Sequence, residues 1–330
     1  MKQVKREYFF DNARVLLIFL VVFGHVIQSS TADSKVVMAL YQTIYLFHMP
    51  AMIFVSGFFA KGKWDIHYFK NLLKKLMIPY LIFQLIHNGF NYWRGQSMKG
   101  IMEPNWSLWF LISLLSWHVL LAVFKRLPKK VGLSLALVIG LAVGYVNAIG
   151  HVYSLSRTFV FFPFFLFGYY IDKAWLFNWL EKLQMKVAAM LILSLFSVHL
   201  VLSYPASLLF GSASYEAIGS PVTGIFLRLL VYAGSMVMSY LFFVFVPKKE
   251  VTYSKVGQKT LYVYLLHGLF IRLIRRLNLL QIEGLLTFGL AVLVSVGVVF
   301  LLSSRLVTLP FKPVIELKRV KQQDWYQLIE

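Results

Sequence analysis

Ten stretches, each of roughly 20 mainly apolar residues, recur along the chain and decide most of what it can fold into. A helix rising about 1.5 Å per residue needs about that length to cross a ~30 Å hydrocarbon core. The stretches lie near residues 13 to 30, 38 to 59, 72 to 93, 106 to 124, 131 to 148, 157 to 171, 186 to 204, 223 to 246, 259 to 280 and 284 to 304. In lipid each segment must satisfy its own backbone hydrogen bonds, so each is expected to be helical and not strand. The pattern predicts an all-α, polytopic membrane protein with about ten transmembrane helices. It forms a single membrane domain over 1–330, with core spans at about 13–304 and a basic cytoplasmic tail at 305–330.

Composition agrees: 59% of the 330 residues are hydrophobic and 14% charged, and the mean hydropathy is +0.71. Such values lie outside the range of soluble globular chains. Cysteine is absent, which excludes disulfides, thiolate metal sites and a cysteine nucleophile. The formal charge of +20 does not point to nucleic acid, because the basic residues fall in short runs between apolar segments. The start MKQVKR followed by an apolar run has the form of a signal peptide, with a passable cleavage site at Ser30-Thr31-Ala32. Nine further apolar segments follow, so this first segment is expected to be retained as a span.

Orientation follows from where lysine and arginine fall. With the N-terminus in the cytoplasm, 24 of them lie on inner segments and seven on outer ones, while Arg14 and Arg228 lie within spans. That bias predicts a multi-pass protein of the cell membrane with both termini cytoplasmic. The tail from Pro310 to Glu330 then reads as an inner-face stop signal that meets membrane lipids.

Polar groups inside the spans carry the functional signal. All 13 acidic residues fall in loops, tails or span ends, so acid and base chemistry at depth is left to histidine and tyrosine. Seven histidines lie in or beside spans: His25, His48, His87, His118, His151, His199 and His267. Helical rise puts His25 ~18 Å from the inner end of its span and His48 ~15 Å from the outer end of the next, at nearly one level. Each can instead be a histidine that hydrogen-bonds a neighbouring helix.

In RVLLIFLVVFGH, Arg14 and His25 stand eleven positions apart. That is three turns plus about 20°, so both project from nearly one face, ~16 Å apart. Gln84, His87, Asn88 and Asn91 repeat at helical spacing and mark a face turned toward protein or a water-filled cavity, or toward a neighbouring helix that they glue. Trp106 and Trp109 read first as an aromatic belt. Arg228, Arg272, Arg275 and Arg276 gather charge toward the outer face, where either an anionic or polyhydroxylated substrate or lipid headgroups would satisfy it. Gly57 and Gly168 permit close helix approach.

Five segments then match a family. YFFDNARVLLIFLVVFGH contains the Arg, ten residues, His spacing with which the acyltransferase-3 family of integral membrane O-acyltransferases opens. LFHMPAMIFVSGFF at 46 to 59, SLWFLISLLSWH at 107 to 118, FFPFFLFGYYI at 161 to 171 and LYVYLLHGLFI at 261 to 271 resemble further family segments in the expected order. The likeness runs over essentially the whole chain. It implies ten core helices and transfer of an acyl group, usually acetyl from acetyl-CoA, to a hydroxyl of an extracytoplasmic glycan or lipid-linked sugar. Arg14 and His25 become the catalytic pair by carry-over.

On this basis His25 is expected to act as general base on the acceptor, or as a transient acyl carrier. Arg14 would grip the phosphates or pantetheine arm of the acyl-CoA co-substrate. His48, Gln84, His87, Asn88, Trp109, Tyr264 and His267 are the candidates for contacting the acceptor or the developing oxyanion. No permanently bound cofactor or metal is expected. Some members carry a further hydrolase-like domain; without it, transfer is expected to finish in the membrane domain or pass to a separate acyl-accepting partner protein. A transporter or flippase for a sugar or lipid-linked oligosaccharide is the alternative, and the missing intramembrane carboxylates and inverted repeats count against it.

Overall fold

A computed structural model describes residues 7–60, 62, 65–149, 152–202, 204–277 and 284–320. His151, one of the candidate histidines, lies outside the described residues. Among the described residues there are twelve α-helices, joined by loops and 3-10 turns, and no strand. In chain order they are α1 (Tyr8–Ile27), α2 (Lys35–Phe58), α3 (Ile66–Trp93), α4 (Trp109–Phe124), α5 (Lys129–Ala142) and α6 (Leu155–Tyr170). There follow α7 (Lys173–Lys182), α8 (Met185–Val201), α9 (Gly224–Val244), α10 (Thr260–Arg276), α11 (Leu285–Ser303) and α12 (Arg305–Ile315).

Each of the ten expected segments overlaps a helix. Five helices, α1, α2, α4, α9 and α11, are long and apolar enough to cross a membrane, and a sixth span arises if α6 and α7 count as one. Those two meet at an angle of 101°, where the Asp172 side chain caps α7 by accepting from the Trp175 N–H at 3.1 Å. The remaining segments fall short for visible reasons: α5, α8 and α10 have 14 to 17 residues, and α3 carries Lys70, Lys74 and Lys75 in its first turns and Gln84, His87, Asn88 and Asn91 further on. The outward faces of α8, α9 and α11 stay apolar, with Leu230 and Leu293 more than two-thirds exposed. That much bare hydrocarbon is tolerable against lipid and not against water.

Helix α2 lies at the centre and packs on α1, α6, α8 and α9. Its contact with α6 is set by two glycines, as expected from Gly57 and Gly168. An ideal Cβ on Gly57 would stand 1.9 Å from the carbonyl oxygen of Phe165, and one on Gly168 would stand 2.1 Å from that of Phe54. Helices this close exchange backbone contact where a methyl group has no room. Side chains pin the other faces of α2: Ser235 on α9 donates to the Leu46 carbonyl at 2.6 Å, and Thr43 meets His199 on α8 at 2.7 Å. His199 is thereby a helix-to-helix bond.

Helix α1 begins five residues before the expected apolar boundary, and its first turns are buried although polar. Asn12 is fully buried and donates to the carbonyls of Pro247 and Lys249, both at 2.9 Å, while Ser254 donates to its oxygen at 2.6 Å. The loop between α9 and α10 is thus fastened to the start of α1, which fixes the helix that carries Arg14 and His25.

Candidate functional site

Both ends of the RVLLIFLVVFGH stretch open onto cavities. Arg14 lines the smaller, about 120 Å³, together with Ile18, Met52, Ser56 and Phe110. Its guanidinium lies 3.6 Å from Asp11 and 4.4 Å above the ring of Phe59. His25 lines the larger, about 170 Å³, with Gln28, Tyr45, His48, Trp109 and Arg157. Val21, Met49 and Tyr264 border both cavities. They form the partition between an Arg14 chamber and a His25 chamber, one turn of helix short of the histidine.

The His25 ring is held by its surroundings. Its Nδ1 shares a hydrogen bond with the Tyr45 hydroxyl at 3.1 Å. Tyr45 comes this near because residue 24 is glycine: a Cβ there would lie 2.9 Å from the Tyr45 ring. The indole of Trp106 faces the imidazole at 4.5 Å between centroids. Beneath the ring, Arg275 of α10 donates to the His25 carbonyl at 2.6 Å and to the Gln28 side chain at 2.8 Å, closing the end of α1.

His48 enters the same chamber from α2, in line with its expected depth. Its Nδ1 donates to the Ile44 carbonyl at 2.8 Å, so that nitrogen holds the proton and Nε2 carries the free lone pair. Trp109 and Tyr264 also line the chamber, Tyr264 with its hydroxyl donating to the Ser107 carbonyl. Of the residues expected to contact substrate, these three stand with His25.

The others are used differently. Gln84 donates to the carbonyls of Gly100 and Glu103, both at 2.9 Å, and accepts from the Asn105 N–H. Asn88 donates to the Lys99 carbonyl at 2.8 Å and accepts from the Asn105 side chain at 2.8 Å. Their polar atoms are spent on the loop between α3 and α4, so the stripe on α3 secures that loop and does not border the His25 chamber. His267 donates from Nδ1 to the Tyr264 carbonyl at 2.7 Å, and its ring stacks on Trp106 at 5.3 Å. His87 is fully buried, 6.5 Å from the same indole, and neither of its ring nitrogens has a hydrogen-bond partner. Neither lines the chamber: His87 stands behind Trp106, while the His267 ring lies 5.5 Å from that of His25.

Several features of the site were not expected. Trp106 turns inward: it has a left-handed backbone (φ 47°) and packs against both His25 and His267, whose rings lie 5.5 Å from each other. Gly268 makes room for it, since a Cβ there would stand 2.2 Å from the indole. Tyr45 shares a helix face with His48, three residues on, and that spacing was its only sequence signal. Arg157 counted simply as an outer cation, yet it lines the chamber; its signal was a lone arginine opening a phenylalanine-rich helix. The outer arginines mostly serve structure: Arg228 donates to the Ala213 carbonyl at 2.9 Å, Arg272 to Asn91 at 3.0 Å, and Arg276 lies 3.5 Å over Trp93.

A family model described as an acyltransferase domain matches residues 7–304, from the turn before α1 to the end of α11. Nodulation protein NolL of Sinorhizobium fredii (strain NBRC 101917 / NGR234) is 28% identical over 154 residues, 41% of this chain and 42% of that protein. The chain thus spans less than half the length of the curated relative it matches. No solved structure matches it. With nearly every helix inside the matched region, including both chambers and their partition, the chain belongs to the acyltransferase-3 family and is a multi-pass membrane protein.

Proposed function

We propose that the protein transfers an acyl group, acetyl in the simplest case, from a cytoplasmic acyl-CoA to a hydroxyl of an extracytoplasmic glycan or lipid-linked sugar. The observation that carries this reading is the pair of chambers that meet at Val21, Met49 and Tyr264. With ten crossings and both termini cytoplasmic, Arg14 stands at the inner mouth and His25 lies ~16 Å farther out. A phosphate-bearing donor suits the Arg14 end, where a guanidinium is held over Phe59. Its extended thioester arm would pass the partition to reach His25.

At His25 the chemistry balances without a metal or a further cofactor. The acceptor hydroxyl gives its proton to the imidazole as its oxygen attacks the thioester carbonyl. Collapse of the tetrahedral intermediate breaks the carbon–sulfur bond, and the CoA thiolate leaves with the proton that the imidazole held. Tyr45 orients the ring through Nδ1, and the His48 Nε2 lone pair offers a second acceptor for the sugar hydroxyls. In this scheme Trp109 lines the acceptor pocket beside Arg157, and Tyr264 borders it from the partition. Gln84, Asn88 and His87 act through Trp106 and its loop, while His267 packs against the His25 ring directly.

Purified protein mixed with labelled acetyl-CoA and a panel of sugar acceptors tests the reading. His25-dependent label on an acceptor is the expected result. If the wild type transfers no more label than His25→Ala across the panel, the proposal fails. A transporter or flippase would use the same route and give no covalent product, so this assay also separates the two classes.

A further inference from the structure

We infer that Arg157 is an anion subsite of the His25 chamber and that the acceptor presents to it a negatively charged group, a phosphoryl or a carboxylate. The inference rests on the acyl-transfer reading for the word acceptor, and on the structure for the subsite. Three observations carry it.

Arg157 is fixed in place. Its Nε donates to the Phe210 carbonyl at 3.1 Å, and its guanidinium lies 5.0 Å from the Trp109 ring centroid. The residues on either side are tied down too: Ser156 donates to the Gly211 carbonyl at 2.7 Å, and Thr158 donates to Ser113 at 2.9 Å. Such a guanidinium has lost its freedom before any ligand arrives, which lowers the entropy cost of binding.

Arg157 is also uncompensated. No described carboxylate forms an ion pair with it, and none lines the chamber, whose ionisable groups are His25, His48, Arg157 and tyrosines. With Nε on Phe210, the two terminal nitrogens remain for a ligand, in the fork geometry that suits a carboxylate or phosphate. Burying a cation without a partner is costly, so a standing arrangement of this kind favours an anion as occupant. Arg14 differs in this respect, because Asp11 sits beside it.

The backbone adds to the same field. Arg157 lies in the first turn of α6, whose N-terminus directs partial positive charge toward this end of the chamber. The chamber is therefore positive around Arg157. A neutral sugar would leave that charge unanswered, while a sugar phosphate or a uronic acid answers it with the group that sets its hydroxyl against His25.

The test is ligand-observed NMR and thermal-shift titration of the purified full chain with glucose 1-phosphate, glucuronate and glucose, with no acyl donor present. The expected result is saturable binding of at least one anionic sugar and none of glucose at the same concentration. Arg157→Gln should weaken the anionic sugar roughly 10- to 100-fold, and Arg157→Lys should keep part of the preference. Arg276→Gln, which removes a cation outside the chamber, should leave it intact. Equal binding of glucose, or wild-type affinity in both Arg157 variants, overturns the subsite. So does a charge preference lost equally in Arg276→Gln. A bilayer arm separates the sources of the anion: if phosphatidylglycerol nanodiscs raise the unfolding temperature through Arg157 and neither soluble sugar binds in phosphatidylcholine ones, the occupant is a lipid headgroup and the proposal falls. Since acyl transfer is not measured, failure here leaves the His25 assay standing, and the reverse also holds.

Discussion

Substituting Gly24 by alanine isolates the contribution of Tyr45 to His25. The added methyl would lie 2.9 Å from Cε2 of the Tyr45 ring, against the ~3.5–4.0 Å that carbon atoms keep. The obstacle is a side chain, so the ring gives way and the helices stay. A retreat of roughly 0.6 Å, the shortfall in that contact, stretches the 3.1 Å bond between the Tyr45 hydroxyl and His25 Nδ1 past hydrogen-bond length. Losing one such bond costs about 0.5–1.5 kcal/mol, or roughly 2- to 12-fold in rate if it orients the imidazole in the transition state. His25-dependent label transfer is the assay, run on Gly24→Ala, Tyr45→Phe and the double variant. The alanine should cost much less once the hydroxyl is gone, because both changes remove one interaction. Strict additivity of the two effects, with unfolding temperatures unchanged, would refute the proposed link from Gly24 through Tyr45 to His25.

Other substitutions probe the frame. Gly57→Ala and Gly168→Ala each set a methyl against a backbone carbonyl and should destabilise by about 1–3 kcal/mol or more, read as a fall of several degrees in unfolding temperature. Because α2 carries Tyr45 and His48 while α6 carries Arg157, parting them by about 1 Å should also reduce transfer by up to ~100-fold. Asn12→Leu strands two carbonyls and the Ser254 hydroxyl at about 1–3 kcal/mol each, and should show as faster hydrogen exchange between α9 and α10. The cysteine-free chain suits accessibility mapping: Gln96→Cys and Ala217→Cys should react with an impermeant maleimide from outside intact cells, while Glu250→Cys should react only after permeabilisation. The reverse pattern would invert the topology. Asn105→Ala should lower transfer about as much as Trp106→Ala does, and the two losses should not add.

The helices were legible because apolar length is a local property. Every expected segment met one, and the glycines at 57 and 168 foretold the tight contact of α2 with α6. Helix α7 was not foreseen: its apolar residues Leu176 and Leu180 make a stripe too short to span, within a segment that reads as an inner loop. Within the site, Arg14 and His25 were legible because one helix carries both, and its pitch alone fixes their relation. Tyr45 and Arg157 were hidden because their roles depend on how α2 and α6 meet α1, which no single-helix periodicity encodes. Gln84, Asn88 and Asn91 show the limit from the other side. Their spacing marked one polar face correctly, but their partners are the carbonyls and side chains of a loop whose path has no sequence pattern.

That loop explains why a polar face on α3 matters to chemistry it does not touch. A bulky residue at φ 47° is strained by about 1–3 kcal/mol and would relax if released. Asn105, immediately before Trp106, is held on three sides, all within 3.0 Å: its backbone N–H donates to Gln84, its side-chain amide donates to Asn88, and its Oδ1 accepts from Asn91. These buried bonds are sufficient to offset the strain. What they secure is an indole packed against both His25 and His267, with Gly268 making room for it. In lipid, where an unsatisfied amide is expensive, three amides on one helix face are costly unless they hold something fixed. Here they hold the wall against which the His25 imidazole rests, so under the proposed mechanism the stripe on α3 would serve catalysis by immobilising the neighbour of the base.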